Sequence, residues 1–203
     1  NELNMAYAFD AVDLAKPEGY SVLKFKEIFS KWDSAFAEKG WLSIYLANHD
    51  QARLVTRFGN DSPEFREVSS KMLSTFIMTM RGTPYYYNGD ELGMTNIRFT
   101  KIEDYRDMPT LNEYQHQKEI KGDIPKFMQT ISFSCRDNGR TPFQWDSSFN
   151  AGFTTGTPWI KVNPNYTTVN VAVQEKDANS CLNYFRKIIK LRKENLALTY
   201  GKY

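Results

Sequence analysis

The chain has 203 residues, enough to bury a sizeable core as one domain. Its 26 Lys+Arg nearly balance 24 Asp+Glu, so charge argues against a nucleic-acid or other polyanionic partner. No run of about eighteen apolar residues exists, so no membrane-spanning helix is expected. Cys135 and Cys181 have no metal-ligand spacing. They read as free core thiols, which suits a reducing, cytoplasmic setting. The chain opens Asn1-Glu-Leu-Asn without an initiator Met and stops at Tyr203 without a tail, as expected of a piece of a longer protein.

Met5–Val12 has the composition of a short buried strand and leads to a turn at Pro17 and Gly19. From Ser21 to Lys39, apolar residues recur at Val22, Phe25, Ile28, Phe29, Trp32 and Phe36. These steps of three and four predict an amphipathic helix, stopped by Gly40. Trp41–Ala47 reads as a second strand. Ser62-Pro63-Glu64 is a helix-start signature: a hydroxyl cap, a proline in the first turn and an acid at the positive dipole end. The following helix is expected to bury Phe65, Val68, Met72, Phe76 and Met80 before Gly82 ends it.

Thr83–Asn88 is predicted as a third strand, running into Gly89-Asp90-Glu91. From Leu92 to about Lys176 the pattern breaks up, with short helices expected near Leu111–Lys121 and Ile124–Phe133. So long a loop-rich segment, about 93–176, argues for function or for an inserted subdomain. The last helix is expected from Ala178 to Glu194, with Leu182, Phe185, Ile188 and Ile189 inward. Arg186, Lys187, Lys190 and Lys193 form its solvated face. Alternation of strand and helix implies a parallel sheet. Three strands leave two open edges, which invite pairing with further strands or self-association.

Polar groups at the ends of parallel strands often carry chemistry. Asn48-His49-Asp50 stands where the second apolar run stops. Asp50 could accept hydrogen bonds from two neighbouring sugar hydroxyls, with His49 donating to the same ring. Alternatively, Asp50 caps the next helix and pairs with Arg53, with Arg57 a turn further on. Asp90-Glu91 are adjacent and point to opposite sides, which makes a poor acid/base pair; bonding to loop amides is the favoured role. In Cys135-Arg-Asp-Asn-Gly-Arg140, Arg136 could reach a sugar hydroxyl while Asp137 and Arg140 hold the loop, or the group is a surface salt-bridge cluster. His116 is a lone histidine among polar residues and is assigned no role. No cluster of metal donors is visible, and neither metal nor cofactor is expected.

Asn48-His-Asp-Gln-Ala-Arg-Leu-Val-Thr-Arg-Phe-Gly-Asn-Asp61 resembles the fourth sequence region of the α-amylase superfamily of glycoside hydrolases. Gly82-Thr-Pro-Tyr-Tyr-Tyr-Asn-Gly-Asp-Glu-Leu-Gly-Met-Thr-Asn96 follows as in that family's α-glucosidase branch. Arg136–Asp146, Ala151–Trp159 and Val162–Tyr166 resemble the oligo-1,6-glucosidase group, which includes trehalose-6-phosphate hydrolases and sucrose isomerases. The resemblance covers essentially the whole chain.

It implies a partial (β/α)8 TIM barrel: strands six, seven and eight, their helices and a long insertion after the last strand. It also implies a retaining glycosidase whose nucleophile and general acid lie on earlier strands, outside this chain. Asp50 matches the ring-binding third carboxylate, His49 the histidine of the same subsite, and Arg136 an arginine that binds the far hydroxyl of the terminal glucose. The implied partners are an oligosaccharide and the rest of the barrel. Two departures stand out: Pro109 near a position where relatives often carry a Glu that grips the aglycone, and Ala52 where many have Pro. Ile97–Asp104 does not resemble the charged loop of sucrose isomerases, which leans toward hydrolysis. Trehalose-6-phosphate hydrolysis and a non-catalytic amylase-like scaffold are the alternatives.

Overall fold

A computed structural model describes residues 4–36 and 40–201. Three parallel strands lie side by side in chain order: β1 (Met5–Ala6), β2 (Trp41–Ile44) and β3 (Thr83–Pro84). Met5 pairs with Trp41 and Ser43 with Thr83. The Tyr85 N–H donates to the Ile44 carbonyl at 2.8 Å, carrying the bonding just past β3. Helix α1 (Val22–Ala35) crosses from β1 to β2, and α2 (Leu54–Phe58) and α3 (Arg66–Thr79) cross from β2 to β3. Sequential parallel strands joined through helices form an arc of barrel wall.

The ladders are shorter than the apolar runs. The first run, expected as a strand through Val12, pairs only at Met5 and Ala6 and turns into a 3₁₀ helix at Val12–Leu14. β2 stops pairing at Ile44, although Tyr45, Leu46 and Ala47 stay buried. The third run pairs only at Thr83–Pro84. The second run stays buried from Leu42 to Ala47 although its ladder ends at Ile44. Leu42, Ile44 and Leu46 face the helices and join Phe29, Leu73 and Ile77 in the main core. On the other face, Tyr7, Tyr45 and Tyr85 cluster, with ring centroids 5.0 and 5.2 Å apart.

Ser21 caps α1, accepting from the Lys24 N–H at 3.3 Å. Phe25, Ile28, Phe29, Trp32 and Phe36 all pack on the main core, but Val22 at the helix mouth is exposed. Helix α3 departs further from expectation. It begins at Arg66, and the Ser62 carbonyl, not its hydroxyl, accepts from Phe65 and Arg66. Phe65, Val68 and Met72 are exposed, while the buried face is Ser70, Leu73, Ser74, Ile77 and Met78. The helix is apolar on two sides, and its small serines let it approach the strand-end loop. The Ser74 Oγ meets the Tyr86 hydroxyl at 2.5 Å, and the Ser70 Oγ donates to the Asp90 carbonyl at 3.4 Å.

The stretch after β3 is more ordered than its composition suggests. It holds α4 (Met108–Glu119), α5 (Ile124–Ser134), α6 (Val171–Lys176) and several 3₁₀ turns. The first two helices are the predicted pair; α6 was not predicted. Phe99, Tyr105, Ile131, Cys135 and Ile160 build a separate small core there, and Leu92, Met94, Val169 and Leu182 a second. Both thiols are free and buried. Helix α7 (Cys181–Glu194) follows, with Leu182 and Ile188 buried and its four expected basic residues exposed, and α8 (Ala197–Tyr200) closes the described chain. Buried Arg192 of α7 donates to the carbonyls of Met78, Met80 and Gly82, satisfying acceptors left where α3 ends, and to that of Leu198 in α8. No described helix is long and apolar enough to cross a membrane.

Candidate active site

β2 aims its polar terminus at the open end of the sheet. The Asn48 side chain accepts from the Asp50 N–H at 2.8 Å, and its carbonyl accepts from Gln51 at 3.1 Å. This local turn lifts His49 and Asp50 clear of the core. Asp50 does not cap α2, whose N-cap is Arg53 without a side-chain cap bond.

Arg53 is buried elsewhere: it donates to the carbonyls of Asn88 at 2.7 Å, Asn138 at 3.1 Å and Thr141 at 3.4 Å. Arg57 likewise turns inward, to the carbonyls of Leu46 at 3.0 Å and of Val12. Burial lowers both guanidinium pKa values, that of Arg57 to about 10. Both arginines therefore fasten strand ends to loops and take no part in the exposed group.

Asp50 is instead met from 90 residues away. Arg140 Nη2 donates to Asp50 Oδ1 at 2.8 Å, and Arg136 Nη1 donates to the same oxygen at 3.1 Å. The His49 Nε2 lies 3.3 Å from Asp50 Oδ2. Behind the two arginines, Asp107 Oδ1 accepts from Arg136 Nε at 2.6 Å and lies 3.6 Å from Arg140 Nη1. Side-chain exposure grades the site: His49 72%, Asp50 47%, Arg136 35%, Arg140 23% and Asp107 4%. His49, Asp50 and Arg136, the three residues singled out in the sequence, come together on one open face. Arg140, expected only to hold the loop, joins them through its bond to Asp50, and Asp107 joins them unforeseen. The short spacing of Arg136 and Arg140 in one turn-forming loop is the signal that could have found the former, since a single 3₁₀ segment (Arg136–Arg140) carries both.

The loop that carries the arginines is pinned at three points. The Asp137 side chain accepts from the Arg106 and Asp107 N–H groups at 2.6 and 2.9 Å. The Asn138 Oδ1 accepts from Ile97 and Arg98, at 3.2 and 3.3 Å. Gly139 presses on the strand-end turn so closely that a Cβ there would meet the Gln51 carbonyl oxygen. Asp137 thus holds the loop as expected, and so does Arg140, which ties it to the strand end, its Nε donating to the His49 carbonyl at 2.8 Å.

Glu91 accepts from the Gly89 N–H at 2.8 Å, the structural use expected of it. Asp90 is buried; burial pushes its carboxyl up to about 7, against the pull of the Arg53 charge. Pro109 sits in the first turn of α4, where a missing N–H costs nothing. His116 is exposed on the same helix. Among the described residues, no three His, Cys, Asp or Glu side chains converge as metal ligands.

A cavity of about 230 Å³ borders the group, lined by Asn88, Arg140, Phe143, Phe153 and Trp159 among others. Chemically, the cluster offers a half-exposed carboxylate with one oxygen engaged by cations and the other facing a histidine. It suits a neutral polyol whose ring acquires positive charge.

Comparison with known proteins places this geometry. The model of the α-amylase catalytic domain matches residues 1–201. An oligo-1,6-glucosidase of Parageobacillus thermoglucosidasius is 49% identical over all of this chain and 37% of its own length. A trehalose-6-phosphate hydrolase of Bacillus subtilis (strain 168) is 44% identical, again over all of this chain and 37% of its own. The crystal structure of an isomaltulose synthase from Klebsiella sp. LX3 matches with a TM-score of 0.94 and 40% identity, covering 100% of this chain and 38% of that one. The chain therefore spans less than two fifths of these relatives, and its three-strand arc is part of a (β/α)8 TIM barrel. With a match that runs almost end to end, this chain belongs to the α-amylase family and carries part of its catalytic domain.

Proposed function

We propose that the whole protein is a retaining, exo-acting α-glucosidase that releases glucose from short α-linked gluco-oligosaccharides. In this reading the nucleophile and general acid are supplied by barrel strands outside the present chain. The two-step displacement passes through a flattened, oxocarbenium-like ring at each step. Asp50 binds two adjacent ring hydroxyls and stabilises the positive charge that grows on the ring. Its contact is stronger in the transition state than in the ground state, so it acts on turnover more than on binding. His49 donates to the same ring. Arg136 meets the far hydroxyl of the terminal glucose, which favours attack at chain ends.

The observation that carries this reading is the state of Asp50. Both loop arginines bond one of its oxygens, Oδ1, and the other, Oδ2, lies 3.3 Å from the His49 Nε2, so the carboxylate is not wholly spent on holding the loop. A non-catalytic scaffold has no need for that arrangement.

A second reading, hydrolysis of trehalose-6-phosphate, draws on the Bacillus subtilis relative of that name. It requires a cationic pocket for the phosphate on the leaving-group side. The test is a substrate panel on the full-length protein: maltose, isomaltose, sucrose and trehalose-6-phosphate. Glucose release from maltose or isomaltose, with no isomaltulose formed from sucrose, is the expected result. Turnover confined to trehalose-6-phosphate moves the protein to the second reading, and inertness to all four leaves the scaffold.

A further inference from the structure

Asp107, Arg136, Asp50 and Arg140 close a ring of alternating charge. Asp50 Oδ1 takes one hydrogen bond from each arginine, at 3.1 and 2.8 Å, on the open side. Asp107 Oδ1 faces both arginines from the buried side, at 2.6 and 3.6 Å. Two guanidiniums that share one carboxylate oxygen repel each other, and with Asp50 alone the group would carry a net positive charge. The second carboxylate makes it neutral.

We infer that Asp107 is a positioning residue of the sugar site, which sets the Arg136 guanidinium and keeps Asp50 from being captured by its own arginines. The inference rests on the reading of the site as a glucosyl-ring clamp.

Three features of Asp107 suit this task. It is nearly inaccessible, so its charge is poorly screened by solvent. Its other oxygen, Oδ2, accepts from the Thr110 N–H at 3.2 Å and the Thr110 hydroxyl at 2.8 Å, which caps α4 and locks the carboxylate plane. Its own N–H is held by Asp137, so its backbone cannot drift. Burial works against its ionised form, but the bonds from Thr110 and Arg136 outweigh burial and hold the carboxyl below the usual range. The charge is therefore present throughout the neutral range. Arg136 bonds it through Nε, which fixes the guanidinium plane and leaves Nη1 for Asp50.

Asp107 also caps a helix, so the test must separate the two roles. Asn is itself a good N-cap, so Asp107→Asn keeps an acceptor for the Thr110 N–H while an uncharged NH2 replaces the oxygen that faces the arginines. In the full-length protein, assayed with a nitrophenyl α-glucoside at a temperature where the variant stays folded, Asp107→Asn is expected to lower kcat/KM about tenfold. In an Arg136→Ala background the same change is expected to have almost no further effect on kcat/KM, because the residue it acts through is gone. Additive losses in that double-variant cycle, or wild-type kinetics for Asp107→Asn, would overturn the inference while leaving the glucosidase reading intact. A wild-type protein inert to every α-glucoside would overturn that reading first, and this inference with it.

Discussion

Arg140 binds both halves of the strand-end pair: its Nε donates to the His49 carbonyl and its Nη2 to the Asp50 carboxylate, each at 2.8 Å. One side chain from a loop 90 residues downstream thus fixes the backbone and the charge of the β2 terminus together. The site is an interface between a barrel strand and the segment that follows the last strand, and neither makes it alone.

Asp50→Asn tests the central residue. Amide substitution keeps the shape but removes the charge that, in the proposed function, faces the growing positive charge on the ring. In the full-length protein, kcat on a nitrophenyl α-glucoside is expected to fall roughly 10²–10³-fold, with a much smaller change in KM. An unchanged turnover number would remove Asp50 from the chemistry.

Arg136→Ala bears on recognition of the terminal glucose. The expected effect is a rise in KM of about tenfold, the size of a lost charge-assisted hydrogen bond, with kcat less affected. Steady-state kinetics with maltose and isomaltose read this directly, and equal KM values for the variant and the wild type would contradict the role.

Arg53→Met addresses the buried frame. It strands the carbonyls of Asn88, Asn138 and Thr141 and leaves the buried Asp90 without its strongest cationic neighbour. A loss of about 3–5 kcal/mol in urea unfolding is expected, the scale for removing one partner of a buried charged network. A loss below 1 kcal/mol would show that water replaces the guanidinium.

Gly139→Ala tests the contact between loop and strand end. The added methyl has no room against the Gln51 carbonyl, so the 3₁₀ segment must move and carry Arg136 and Arg140 away from Asp50. We expect about 1–3 kcal/mol of destabilisation together with a drop in kcat/KM. Full activity in a stable variant would show that the loop is not held by this approach.

Asp90 gives a pH signature of definite sign. Its carboxyl is raised to about 7 in the folded protein from 3.8, chiefly by burial. Between those values the folded state holds a proton that the unfolded state has lost, so this group makes stability fall as pH rises from about 4 to about 7 and then level off. Asp107, held below the usual range, acts oppositely: its contribution is present above the ordinary carboxylate pKa and is lost as pH falls through its lowered value. Unfolding of Asp90→Asn followed across pH 4 to 7 should lack the downward slope of the parent; an unchanged slope would assign it to other groups.

The amino-acid sequence by itself determined the periodic parts. The 3.6-residue spacing of Phe25, Ile28, Phe29, Trp32 and Phe36 sets the buried face of α1, because local geometry alone decides which side chains share a helix side. The abrupt change from apolar to polar after Ala47 marks Asn48, His49 and Asp50 for the same reason: a buried strand cannot continue into them. Only the tertiary structure decided which side of α3 is buried, since that helix is apolar on two sides and the choice depends on how closely Ser70 and Ser74 approach the strand-end loop. It also decided that Arg53 and Arg57 turn inward while Arg140 turns out to Asp50. These arginines have the same chemistry, and what separates them is the supply of unpaired carbonyls and carboxylates brought close from distant parts of the chain.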